Sequence, residues 1–205
     1  MSSPPLRSIF VNIFLVLVAT CVGFLLCEII VRVVDPQKDF GVPLLEEVNG
    51  VTLPLPNVRG RCFVQNAYNI HISTSSQRFR GLKNFQSKPK PGVVRIAMLG
   101  DSFTFGIGAN EDEAYPAQLS RVLQEHLTQR TPAVTVEVIN AGIPGTGTGD
   151  QALWYDHWVR HFHPQIVVLN VAADDVRSDL MRRLFVLDKS GKASPRSLQG
   201  LRAAD

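Results

Sequence analysis

Apolar and polar residues follow three different spacings along this chain, and each marks a different kind of segment. Residues 8–27 carry no charge and are dominated by Val, Leu, Ile and Phe. A run of about 20 such residues crosses hydrocarbon as a helix, and a helix apolar on every side suits lipid better than a protein core. Glu28 and Arg32 follow one turn apart, spaced to pair at an interface. No Ala-x-Ala site follows the run, and Val18-Ala19-Thr20-Cys21 is a poor lipoprotein signal because Thr precedes the Cys. An uncleaved transmembrane anchor over 1–35 is therefore expected, making this a single-pass membrane protein with its main domain on the extracytoplasmic side. The flanking charges do not fix that orientation, since Arg7 precedes the run while Arg32 and Lys38 follow it.

Residues 36–92 hold Pro36, Pro43, Pro54, Pro56, Pro89 and Pro91, which argues against long helices. Tyr68, Ile70 and Ile72 alternate with Asn69, His71 and Ser73, the period of a half-buried strand. This region reads as a membrane-proximal connector with some β structure, ending at Lys88-Pro89-Lys90-Pro91-Gly92. Over 93–188 the pattern becomes a regular alternation. A β-branched strand is predicted at 93–99 and a helix at 115–129, with Pro116 in its first turn and Leu119, Val122, Leu123 and Leu127 at helical spacing. A second strand is predicted at 134–139. A second helix is capped by Asp150, with Trp154, Trp158 and Phe162 recurring every fourth residue. The third strand, 166–171, is apolar except for Asn170. Residues 189–205 read as a polar, basic tail.

The order β-α-β-α-β argues for a parallel sheet. Three loops then leave the carboxyl ends of three parallel strands and meet at one edge, where ligands bind in open α/β sheets. They are Gly100-Asp101-Ser102, Asn140-Ala141-Gly142-Ile143-Pro144-Gly145 and Ala172-Ala173-Asp174-Asp175. A serine there can act as a nucleophile if a base and oxyanion donors join it.

Charge and cysteines add little. The net charge of +3 over 205 residues is too mild to imply a nucleic-acid partner. The C-terminal basic residues lack interleaved aromatics, so a solvated surface is expected there. Cys62 stands alone outside the apolar run that holds Cys21 and Cys27, so no disulfide framework is expected.

These motifs resemble the SGNH (GDSL-type) hydrolases, serine esterases on a flavodoxin-like fold. The first family block resembles Gly100-Asp101-Ser102-Phe103-Thr104-Phe105-Gly106, the second Asn140 through Gly145, and the third, usually Gly-x-Asn-Asp, lines up with Ala172-Ala173-Asp174-Asp175. Ser75-Ser76-Gln77-Arg78-Phe79-Arg80-Gly81 resembles a segment that precedes the catalytic domain in membrane-anchored members. The resemblance implies a parallel three-layer α/β sandwich, of which the first three strands are present. It implies Ser102 as the nucleophile, with an oxyanion hole made by the backbone N–H groups of Ser102 and Gly145 and by the residue at Asp174. It implies an acyl-ester substrate, a class that includes O-acyl groups on glycans, with no cofactor or metal. The match is not the Gly-x-Ser-x-Gly elbow of α/β-hydrolases, because Thr104 holds the last glycine position.

Two departures qualify that expectation. The family's third oxyanion donor is an asparagine amide, whereas an ionised Asp174 only accepts hydrogen bonds. The family's base sits in an Asp-x-x-His block, yet His71, His126, His157, His161 and His163 all precede the third block. The expectation is the front part of a longer esterase, with a non-catalytic SGNH-like module as the alternative. A further alternative rests on Gly147-Thr148-Gly149-Asp150-Gln151-Ala152, which has dinucleotide-binding spacing but starts well past the preceding strand. His157 and His161 lie one helical turn apart, but there is no carboxylate or cysteine cluster to complete a metal shell.

Overall fold

In the computed structural model the described residues are 6–34, 41–48, 50–64, 67–131 and 133–195. They form two compact units, 1–39 and 40–205. The first contains helix α1 (Leu6–Val34). Within it Ile9–Val33 has a mean hydropathy of 2.7, long and apolar enough to cross a membrane. At its C-terminal end the Arg32 guanidinium donates to Glu28 at 2.7 Å, the pairing that the one-turn spacing predicts.

The second unit begins with two antiparallel hairpins, β1 (Leu45–Val48) with β2 (Val51–Pro54) and β3 (Arg59–Val64) with β4 (Tyr68–Ser73). The predicted alternation is present in β4, where Ile70 and Ile72 are buried and Asn69 and His71 exposed. Then come β5 (Val93–Gly100), the single-turn helix α2 (Ser102–Phe105), α3 (Tyr115–Arg130), β6 (Thr135–Gly142) and α4 (Thr148–His157). The chain continues through a 3-10 turn (Val159–Phe162), β7 (Ile166–Leu169), α5 (Asp175–Arg182), β8 (Phe185–Leu187) and β9 (Ala193–Pro195).

The central sheet is parallel, in the order β6-β5-β7. Alternate residues of β5 serve its two faces. Ile96 and Met98 pack with Val136 against Leu119, Leu123 and Leu127 of α3. Ala97 and Leu99 pack with Ile139 against Leu153 and Trp154 of α4. Helices on both faces of a parallel sheet make the three-layer α/β arrangement that the element order predicts. The Pro-rich region joins the same core: Val51, Leu53, Phe79 and Phe85 are buried with the α4 side of the sheet. The Phe79 ring meets Phe85, Trp154 and Phe162 edge-on at 5.0–6.0 Å.

Four local expectations need correction. Val122 faces solvent, because the stripe that packs on the sheet is the i, i+4 row of Leu119, Leu123 and Leu127. Asp150 is not the cap of α4: that helix starts two residues earlier, and Asp150 is fully buried in its first turn. There it accepts the Thr52 N–H at 3.3 Å and pairs with Arg182 at 3.0 Å. Phe162 lies beyond α4, in the 3-10 turn. The third strand stops at Leu169, so Asn170 belongs to the loop at the strand's carboxyl end. All four β7 residues are exposed, at 37–47 %, as the unpaired edge of a three-stranded sheet dictates.

Candidate active site

The three sequence blocks meet where parallel strands place them. Gly100 and Gly142 are register partners at the ends of β5 and β6, and the Ile143 N–H donates to the Gly100 carbonyl at 2.9 Å. From β7, the Asn170 N–H donates to the Leu99 carbonyl at 2.9 Å. Ser102, Gly145 and Asp174 thus all follow the carboxyl ends of adjacent strands.

Ser102 opens α2, held by a local device legible in its neighbours. Asp101 caps the turn, its carboxylate accepting the Phe103 N–H at 2.9 Å. Gly106 ends it in the left-handed region, its N–H returning to the Ser102 carbonyl at 2.9 Å. Asn140 braces the same turn: its amide donates to the Phe105 carbonyl at 3.4 Å, and its side-chain oxygen accepts the Gly142 N–H at 3.1 Å. Behind the turn, Thr104 and Tyr115 share a hydroxyl hydrogen bond of 2.8 Å, and the Asn170 amide reaches Thr104 at 3.5 Å. Ser102 is half-buried, and among the described residues its hydroxyl has no hydrogen-bond partner. No described histidine donates to it or accepts from it.

α2 lies directly on β6, and Gly142 makes that approach possible. A Cβ at position 142 would stand 2.3 Å from the Phe105 backbone nitrogen. Gly142→Ala is therefore expected to push α2 off the sheet and lower stability by about 1–3 kcal/mol, the usual cost of overpacking. Thermal melting compared with the wild-type chain checks this.

Gly145 is exposed with φ of +72°, and nothing lies within 4 Å of where its Cβ would be, so its backbone is open to an approaching ligand. Asp174 is exposed at the start of α5 and makes no capping hydrogen bond. One carboxylate oxygen from each of Asp101, Asp174 and Asp175 lies within 4.8 Å of the others. Sequence reading did not foresee this convergence; adjacency of the first and third loops was the signal available. Asp175 is buried, one oxygen accepting the Ala172 N–H at 3.1 Å. Burial pushes its carboxyl up, the Ala172 hydrogen bond opposes that, and the charges of Asp101, Asp174 and Asp179 add to the rise.

The glycines at 147 and 149 serve packing against α5. The Asp179 carboxylate accepts the Gly149 N–H at 2.8 Å and the Thr148 hydroxyl, and a Cβ at 147 would lie 2.4 Å from it. A protein carboxylate thus fills the place where a dinucleotide phosphate would bind. Beside it is a mainly apolar cavity of about 530 Å³, lined by Ala152, Leu169, Val176, Leu180 and Phe185 among others. Ser102, Gly145 and Asp174 do not line it.

A model of the GDSL-like Lipase/Acylhydrolase family matches residues 98–203, half of the chain. The chain belongs to that family. No curated protein matches it. The family match starts inside β5 and takes in the strand-to-α2 turn, the β6 loop and the β7 loop. It makes the chain a hydrolase of the SGNH type and agrees with the parallel three-layer architecture. The hairpins and the region through residue 97 lie outside it.

Proposed function

We propose that the chain is a serine esterase in which Ser102 attacks an acyl carbonyl and the backbone N–H groups of Ser102 and Gly145 receive the developing oxyanion. The observation that carries this reading is the placement of Ser102. Ser102 is half-buried, makes no hydroxyl hydrogen bond among the described residues, and sits on a braced turn at the carboxyl end of the central strand, while Gly145 lies open on the loop after the neighbouring strand. A nucleophile in that setting transfers the acyl group to itself and then to water, releasing an alcohol and an acid. Acyl esters, including O-acyl groups on glycans, are the substrate class, and α1 tethers the domain to a membrane.

Asp174 favours a second reading, a non-catalytic module of the same fold. An ionised carboxylate at the third donor position opposes an oxyanion, and loss of one donor costs about 10²–10³ in turnover. One experiment separates the two. The full chain in detergent, treated with a fluorophosphonate, is expected to gain one adduct by intact mass, mapped by peptide digestion to Ser102. An unmodified protein, or an adduct on another residue, makes the esterase reading wrong and leaves the non-catalytic one.

A further inference from the structure

We propose that Asp101, Asp174 and Asp175 form a binding site for a hard divalent cation, Ca²⁺ above all, at the mouth of the Ser102 site. Three observations meet here. First, the first and third loops bring one carboxylate oxygen from each of the three acids into a cluster no wider than 4.8 Å. Ca²⁺ takes oxygen ligands at about 2.3–2.6 Å, so opposed oxygens of its shell stand about 4.6–5.2 Å apart and these spacings fall within one ion's span. Mg²⁺, at about 2.0–2.1 Å, requires a tighter cluster.

Second, Asp175 is 1 % exposed, and its Oδ1 has no hydrogen-bond partner, while Oδ2 is taken by the Ala172 N–H. One oxygen of this carboxylate lies within 4.8 Å of an oxygen of each of the other two acids. A buried, unpaired carboxylate oxygen loses its hydration without compensation unless something binds it. Third, the negative charge is uncompensated. Among the described residues, no Lys, Arg or His nitrogen forms an ion pair with any of the three acids. Oxygen-only ligands select hard cations over thiophilic metals. Asp174 is exposed, which leaves the ion a route from solvent and room for water in its shell.

The site stands on these observations alone. Its consequence rests on the serine-esterase reading: a cation at Asp174 turns the one repulsive position beside the oxyanion into an attractive one.

The experiment is calcium titration of the full chain in detergent, in phosphate-free buffer after chelation, followed by calorimetry and by thermal melting. One saturable site per chain is expected, in the range of about 10⁻⁴–10⁻³ M typical of exposed carboxylate sites. At roughly a hundred times Kd the melting temperature should rise by roughly 5–11 °C. Asp174→Ala removes an exposed side chain that caps nothing, so it should melt like wild type in chelator yet bind Ca²⁺ at least tenfold more weakly. No saturable binding up to about 10 mM, roughly tenfold above the expected range, overturns the proposal. So does unchanged affinity in Asp174→Ala. Fluorophosphonate labelling of the same samples separates the two readings: calcium binding without a Ser102 adduct leaves the cation site and removes the esterase, and an adduct without calcium binding does the reverse.

Discussion

Ser102→Ala is expected to abolish covalent modification by a fluorophosphonate, because it removes the hydroxyl oxygen that the reagent would phosphonylate. No neighbouring hydroxyl can substitute. Thr104, two residues on, is fully buried and committed to Tyr115 at 2.8 Å. Ser75, in the segment before the sheet, is buried and accepts the Gln77 N–H at 3.2 Å. The Ser102 hydroxyl, by contrast, makes no hydrogen bond among the described residues, and its removal empties little space. Stability should therefore stay within about 0.5 kcal/mol of wild type. Unchanged melting with complete loss of the adduct is the expected pair of results. A retained adduct places the nucleophile elsewhere, and a large drop in melting temperature makes Ser102 a structural residue.

The backbone plan was legible because its signals are periodic. A β-branched run ending in Gly-Asp-Ser, apolar residues at helical spacing over 115–129 and a second strand at 134–139 leave little choice of element or order. Parallel order then brings the three loops to one edge whatever the details of packing. What sequence could not show is which polar groups are consumed. Gly147 and Gly149 have the spacing of a phosphate loop, but α5, folding back from thirty residues downstream, fills that place with Asp179. Asp150 has the chemistry of a cap, and only the tertiary contacts with Thr52 and Arg182 reveal it as a buried ion-pair member. Asn170 reads as part of an apolar strand, yet the strand ends before it and its amide turns toward Thr104 behind the Ser102 turn. The Pro-rich region was read from its helix breakers, which say nothing of burial. Its Phe79 and Phe85 supply part of the core on which α4 rests.

The same contrast, between a charge that is answered and one that is not, sets the two ends of the sheet apart. At the carboxyl end three acids converge, and among the described residues no cationic side chain pairs with them. Toward the amino end of β5, Arg95 is answered completely, and Arg95→Ala is expected to destabilise the chain by about 3–5 kcal/mol, the cost of stranding the partner of a buried ion pair. Arg95 is 1 % exposed although it lies on the central strand. Its guanidinium gives two hydrogen bonds to Glu137, its register partner on β6, at 2.7 and 3.0 Å. Its other Nη donates to the carbonyls of Gln86, Ser87 and Phe162 at 2.5–3.3 Å, and the group lies over the Phe85 ring at 5.6 Å. One side chain thereby ties the segment before β5, the neighbouring strand and the turn after α4 to the sheet. Alanine leaves three carbonyls without their donor and Glu137 with only the more exposed Lys83, at 3.3 Å. For a chain of this size the melting temperature should fall by roughly 6–20 °C. The acid limb gives an independent check. Burial pushes the Glu137 carboxyl up, but the hydrogen bonds from Arg95 and the charge of Lys83 outweigh it and hold the group below the usual carboxylate range. A carboxyl depressed in the folded state contributes stability above its unfolded pKa, about 4.3, and that contribution is lost as pH falls through the lower folded value. Melting measured from pH 7 down to pH 3 should therefore show a wild-type decline beginning below about pH 4.3. That decline should be shallower in Arg95→Ala and in Glu137→Gln. Parallel acid limbs in all three proteins would show that the pair adds nothing to folding.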